Sequence, residues 1–191
     1  KVIAVGNEAM VHWAASYFVK PSVILGWVNY LQTLKANGGL PEKIWITSSD
    51  NFASWGGGGS EYHNEDLVEL AKAVDYVSMH TYPFHDTHYN PSFWNIEVVK
   101  TYKDTNDVNS LLMKSAVNYS KMQYKQVSDY LKSIGVDKPI HIGETGWASK
   151  SDGFYGPNGS KAADELKQSL YYKGMREWTD TEGISCFYFE A

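Results

Sequence analysis

The sequence predicts an α/β protein: a parallel sheet covered by helices. Short apolar strand patterns alternate with amphipathic helix patterns along the chain. The residues best suited to chemistry also fall just after strands, the end of a parallel sheet where functional groups gather.

Val2–Gly6 is an apolar run that ends in Asn7-Glu8. Over Ser22–Ala36 the residues Val23, Ile24, Trp27, Val28, Leu31 and Leu34 repeat at the spacing of one helix face, with Ser22 placed to cap the start and Gly38 beyond the end. Ile44–Thr47 is a second strand running into SSDNFASW, and Asn64–Val74 a second helix. Asp75–Met79 is a third strand, leading into HTYPF. A long loop is expected from about His85 to Leu111, holding Tyr89, Phe93 and Trp94. Leu112–Ile134 reads as a long helix with a stripe of Ala116, Tyr119, Gln123, Val127, Tyr130 and Ile134, closed by Gly135. Pro139–Gly143 is the fourth strand, Ser160–Thr179 a helix closed by Gly183, and Ile184–Phe189 the fifth strand. GGGG at 56–59 is a loop tip within one domain spanning 1–191.

The chain has 191 residues, room for one sizeable core, and a net charge of −5. Its only arginine is Arg176. An acidic chain with almost no arginine argues against nucleic acid or phosphate as partner and favours a neutral substrate. The 14 Tyr, 7 Trp and 7 Phe supply either a large aromatic core or faces on which sugar rings stack. Cys186, the single cysteine, sits in an apolar strand pattern and reads as a buried inert thiol. No membrane-spanning run and no signal peptide is visible.

Glu8 and Glu144 each follow a glycine-containing apolar strand, VIAVGNE and PIHIGETGW. A pair of strand-end carboxylates is the minimum equipment for glycosidic bond cleavage. One holds a proton near neutrality as general acid, and the other, ionised, acts as nucleophile. The bland readings are a helix-capping partner for Glu8 and a surface charge for Glu144. Asn7 could bond a sugar 2-hydroxyl, or simply make a turn.

IAVGNE together with HIGETGWAS resembles family 17 of the glycoside hydrolases, which belongs to a clan of retaining (β/α)8 barrels. VSMHTYPF is similar to the sixth strand of bacterial members and SCFYFEA to the eighth, so the resemblance covers the whole chain as strands four to eight. It implies a partial (β/α)8 barrel with the first three strands absent, and an enzyme of the β-1,3-glucanase type. Glu8 becomes the acid/base, Glu144 the nucleophile, and Tyr82 a hydrogen-bonding partner of the nucleophile. Trp147 and Trp55 are expected to stack on sugars, Trp55 equally well fitting a core position. Asp50 is a third carboxylate in a bonding role, and His80 a pocket wall. The motif departs from the family at Ala148, where proline is usual.

His80, His85, Asp86 and His88 crowd together, but their spacing matches no helical zinc motif, so neither metal nor cofactor is expected. The expected partner is a β-glucan, hydrolysed or transglycosylated, with no nucleic acid and no membrane. A non-catalytic glucan-binding fragment is the competing class. Five strands cannot close an eight-stranded barrel. A missing amino-terminal half is therefore expected beside them, and no activity is expected of the 191 residues alone. The resemblance implies a secreted, periplasmic or cell-surface location.

Overall fold

The structure is a computed structural model that describes residues 1–95 and 105–189. The element order is β1 (Val2–Asn7), α1 (Pro21–Ala36), β2 (Trp45–Asn51), α2 (Glu65–Ala73), β3 (Val77–His80), α3 (Pro83–Tyr89), α4 (Thr105–Ser133), β4 (Ile140–Thr145), α5 (Glu165–Glu182) and β5 (Cys186–Tyr188). The strands form one sheet in the order β1-β2-β3-β4-β5. The α/β class with a parallel sheet is therefore what the chain adopts. Among the described residues no helix is long and apolar enough to cross a membrane.

The chain divides into two compact units, Lys1–His80 with Gln123–Gly143, and Thr81–Met122 with Glu144–Ala191. In the first, β1 and β2 pair in parallel with Val2 opposite Trp45 and Ala4 opposite Thr47. The register then slips, so that Asn7 faces Ser49. This irregularity re-aims the end of β1 just before Glu8, a common use of a bulge beside a site. β2 pairs with β3 in parallel, and Val77 N donates to Pro139 O beyond it. The core of this unit joins Ile24 and Val28 of α1 to Leu67, Leu70 and Ala71 of α2, with Ile46, Val77, Met79 and Val127. Asp75 ties it together, accepting from Lys35 Nζ and Ile46 N at 2.8 Å each and from Gln32 Nε2 at 3.2 Å.

The second unit has an aromatic core. Trp147 packs against Phe84, Trp94 and Tyr171 at ring separations of 5.4, 5.5 and 5.1 Å. Beneath it the Tyr171 hydroxyl meets Ser120 Oγ at 3.0 Å and Thr145 Oγ1 at 2.7 Å, so the buried phenol is satisfied.

Several boundaries differ from the sequence expectation. Pro21 opens α1 at its first turn and Lys20 is the cap residue, with no side-chain bond, so Ser22 does not cap it. Val23 and Trp27, assigned to the same apolar face as the buried Ile24 and Val28, are 51% and 58% exposed. Within the described residues the expected loop from His85 is partly helical: Pro83 starts α3, a 3₁₀ turn spans Pro91–Phe93, and α4 begins at Thr105. The part of that loop between 96 and 104 lies outside the described residues. α5 starts at Glu165 because Asp164 accepts from Lys167 N at 2.9 Å, which makes Asp164, and not the region of Ser160, the cap. As expected, Gly135 and Gly183 follow their helices in the left-handed region.

Candidate active site

In the first unit, β1 ends on Asn7 and the next residue, Glu8, has φ 47°, the left-handed region that a glutamate rarely occupies. Its backbone N–H donates to Ser49 O at 2.9 Å. Its carboxylate Oε1 lies 3.2 Å from His80 Nδ1. The other ring nitrogen of His80 is 2.7 Å from Ser49 Oγ, and Ser49 Oγ is 2.9 Å from Ser78 Oγ. This polar seam runs from the buried floor outward: the His80 side chain is 0% exposed and that of Glu8 38%. A half-exposed carboxylate backed by an imidazole can meet a ligand and exchange protons with it. Asn7 has an exposed side chain beside it.

Asp50 ends the same seam on β2. Oδ2 accepts from Met10 N at 2.8 Å and Oδ1 from Asn51 N at 2.9 Å. Burial pushes its carboxyl above the usual carboxylate range, opposed by those two amides. Since Asp50 and His80 are each 0% exposed, neither offers a surface to substrate. That corrects their expected binding role to one of support: Asp50 fixes the turn after Glu8, and His80 fixes its side chain. Trp55 is also 0% exposed, with Nε1 donating to Ser78 O at 3.0 Å, so it has no face left for a sugar.

In the second unit the Tyr82 hydroxyl donates to Glu144 Oε2 at 2.9 Å, and both residues are half-buried. Thr81 N donates to Glu144 O at 3.1 Å, which anchors the strand end that bears the carboxylate. Trp147 is 0% exposed and donates from Nε1 to Ala162 O at 2.9 Å. Its expected stacking on sugar is corrected to core packing.

The two glycines beside Glu144 have separate structural reasons. A Cβ on Gly143 would run into the hydroxyls of Ser49 and Ser78 in the first unit. One on Gly146 would run into Phe189 O in the second. Each glycine thus sits close to its neighbours only because no side chain intervenes.

Among the described residues no three His, Cys, Asp or Glu side chains group to hold a metal ion. His80 serves Glu8 and Ser49, while in the second unit His85 Nδ1 lies 3.0 Å from Tyr155 Oη and His88 stacks on Phe154. Sequence reading missed Ser49, Ser78, Tyr155 and Phe154. The polar run Ser48-Ser49-Asp50 after an apolar start was the available signal for the first pair.

No protein-family model and no curated protein sequence matches the chain. Solved structures similar to it include the following two. One is the crystal structure of an endo-laminarinase from Formosa Hel1_33_131, 59% identical over 100% of this chain and 49% of that one, with a TM-score of 0.96. The other is an active-site mutant of Rhizomucor miehei β-1,3-glucanosyltransferase in complex with laminaritriose, 18% identical over 93% of this chain and 49% of that one, with a TM-score of 0.58. At that identity the second likeness is one of fold. The chain spans about half the length of each of these proteins.

Proposed function

We propose that these residues carry the catalytic glutamates of a retaining β-1,3-glucan hydrolase of the family 17 type, as strands four to eight of a (β/α)8 barrel. The observation that carries this reading is the 59% identity to an endo-laminarinase over the whole chain. The treatment of the two glutamates supports it: each stands at a strand end, half-buried, with its own hydrogen-bonding side chain, His80 for Glu8 and Tyr82 for Glu144.

In this mechanism a Glu144 oxygen bonds to the anomeric carbon as the glycosidic C–O bond breaks, and protonated Glu8 delivers its proton to the leaving oxygen. Water then attacks the same carbon, gives its proton to Glu8, and releases Glu144. Tyr82 holds the attacking carboxylate in orientation, and Asn7 is placed to bond the sugar 2-hydroxyl. Such chemistry requires the two carboxyl groups about 5–5.5 Å apart in the full-length protein. A polysaccharide substrate does not cross a membrane, which favours a secreted, periplasmic or cell-surface enzyme.

The test is Glu144→Gln in the full-length natural protein, assayed on laminarin. Loss of nearly all turnover with folding intact is expected. Parent-level activity removes the nucleophile assignment, and an inactive parent removes the substrate.

A further inference from the structure

The rings expected to stack on sugar, Trp55 and Trp147, are sealed in the core. A different set of rings in the second unit remains open. It lies on α3, which leaves the end of β3, and on the loop that follows β4, so both segments emerge from the strand ends that lead to Tyr82 and carry Glu144.

These rings form a continuous run outward from the carboxylate. Tyr82, which bonds Glu144, has its ring 5.4 Å from that of His85. The His85 ring lies 5.5 Å from that of Tyr155, with the hydrogen bond at 3.0 Å between them. The Tyr155 ring is 6.3 Å from that of His88, which lies flat against Phe154 at 4.2 Å and 10°. Tyr89 meets the edge of His88 at 4.8 Å. At the outer end Phe154 is 58% exposed and Tyr89 63%.

Scattered exposed rings are ordinary, but rings clustered on one helix and one loop at a working end and held in place by one another point to a binding surface. His88 stacks on Phe154, which nonetheless remains 58% exposed. The polar edge of the cluster holds the Tyr155 hydroxyl and the Asn90–Asp86 pair, bonded at 2.7 Å. A flat apolar face bordered by hydroxyl, amide and carboxylate suits a hexopyranose, with its C–H face and its rim of hydroxyls. Neither lysine nor arginine is part of the run, which disfavours an anionic ligand.

From this we propose a distal sugar-binding subsite built on Phe154 and Tyr89, which takes a further glucosyl unit of the same β-glucan chain whose bond is cut beside Glu144. The inference rests on the proposed function and extends it. The subsite selects for chain length: a long glucan reaches it and a short one does not.

The test uses Phe154→Ala, Phe154→Leu, Phe154→Trp and Tyr89→Ala in the full-length natural protein, with Tyr172→Ala on the exposed face of α5 as control. Each is assayed on laminarin and on laminaritriose. Loss of one stacked ring should raise KM for laminarin roughly three- to tenfold. The rise on the trisaccharide should be markedly smaller, and kcat on laminarin should change much less than KM. Phe154→Leu keeps apolar volume without a flat ring and should behave like the alanine variant. Phe154→Trp should keep the parent preference, and so should the control. Equal losses on both substrates, a preserved preference in Phe154→Ala and Phe154→Leu, or the same shift in Tyr172→Ala overturns the subsite while leaving the proposed function standing. A parent without activity on any β-glucan overturns both.

Discussion

Asp50→Asn tests how Glu8 is held. The Asp50 carboxylate is fully buried and accepts from Met10 N at 2.8 Å and Asn51 N at 2.9 Å. An amide has the same shape but one acceptor oxygen. Whichever way it turns, one backbone N–H faces an NH₂ group, and a buried donor left unsatisfied costs about 1–3 kcal/mol. A second effect opposes this. Burial raises the Asp50 pKa on folding, so the ionised group weakens the fold. That penalty is absent below the unfolded carboxylate value, near about 4, and grows as the pH rises through the folded value. Asparagine carries no such dependence. Near about pH 4 the parent carboxyl is itself largely protonated and, like the amide, turns a hydrogen-bearing end to one N–H. The expected outcome is therefore a slope, the parent losing stability relative to the variant as the pH rises through the folded value. A change of about 2 kcal/mol moves Tm by roughly 2–4 °C in a protein about twice as long as these 191 residues. The kinetic effect follows from the backbone. A left-handed glutamate costs about 1–2 kcal/mol, close to the 1.5–3 kcal/mol of one hydrogen bond to a charged group. Without the tether at Met10, Glu8 relaxes, and a displacement on the order of 1 Å lowers kcat about 100-fold. Thermal unfolding from about pH 4 to pH 8 and turnover of laminarin, both in the full-length protein, read the two effects. A Tm difference between variant and parent that stays constant from about pH 4 to pH 8, together with kcat within about twofold, refutes the reasoning.

Two further outcomes follow from the hydrogen bonds. Tyr82→Phe removes a donor from a carboxylate while keeping the ring, so kcat/KM on laminarin should fall about 10- to 100-fold, the equivalent of 1.5–3 kcal/mol, with Tm nearly unchanged. A fall within about twofold would show that Glu144 needs no help from Tyr82. At Asp75, partial burial pushes the pKa up, but the Lys35 ammonium, the Ile46 amide and Gln32 together bring it below the usual value. A carboxyl lowered on folding stabilises the protein above its unfolded value, near about 3.9, and loses that contribution as the pH falls through the folded value. Asp75→Asn should flatten the acid limb of stability below about pH 4, as read by urea unfolding at several pH values. An unchanged acid limb would assign the loss to other groups.

The fold was legible where apolar residues repeat and blurred where strands turn polar. β2 was expected to stop at Thr47 because Ser48, Ser49 and Asp50 break the apolar pattern, yet the strand runs to Asn51. Those three side chains are buried or half-buried, and Ser49 and Asp50 are paired with Ser78, His80 and Met10 N, so hydrogen bonding does what apolarity does elsewhere. The same effect hid the site's support. Glu8, Glu144 and Tyr82 could be named from motifs, but the partners that hold Glu8 come from β2 and β3, about 40 and 70 residues away in sequence, and no local pattern records such pairings. Trp147 misled for the converse reason, while Trp55 took the core position that fitted it equally well. Residue type suits both to stacking, but each indole is buried with its N–H satisfied by a carbonyl that composition does not reveal, Ser78 O for Trp55 and Ala162 O for Trp147.

The two glutamates are held by different means, and the difference matches the parts proposed for them. Glu144 sits within regular β4, followed by Thr145, whose hydroxyl bonds Tyr171 in the core. A nucleophile that must meet one carbon along one line gains from such rigidity. Glu8 lies beyond β1 in a strained turn, kept there by Ser49 O and by Asp50 acting through Met10, with His80 on its carboxylate. An acid/base must give up a proton on one side of the reaction and take one back from water on the other. A side chain 38% exposed and steered by a buried imidazole is open enough for that exchange and constrained enough to be aimed. On this reasoning, damage to the seam of Ser49, Asp50 and His80 should impair proton delivery first, most visibly with leaving groups that need protonation. Damage around Thr145 and Tyr171 should impair folding first.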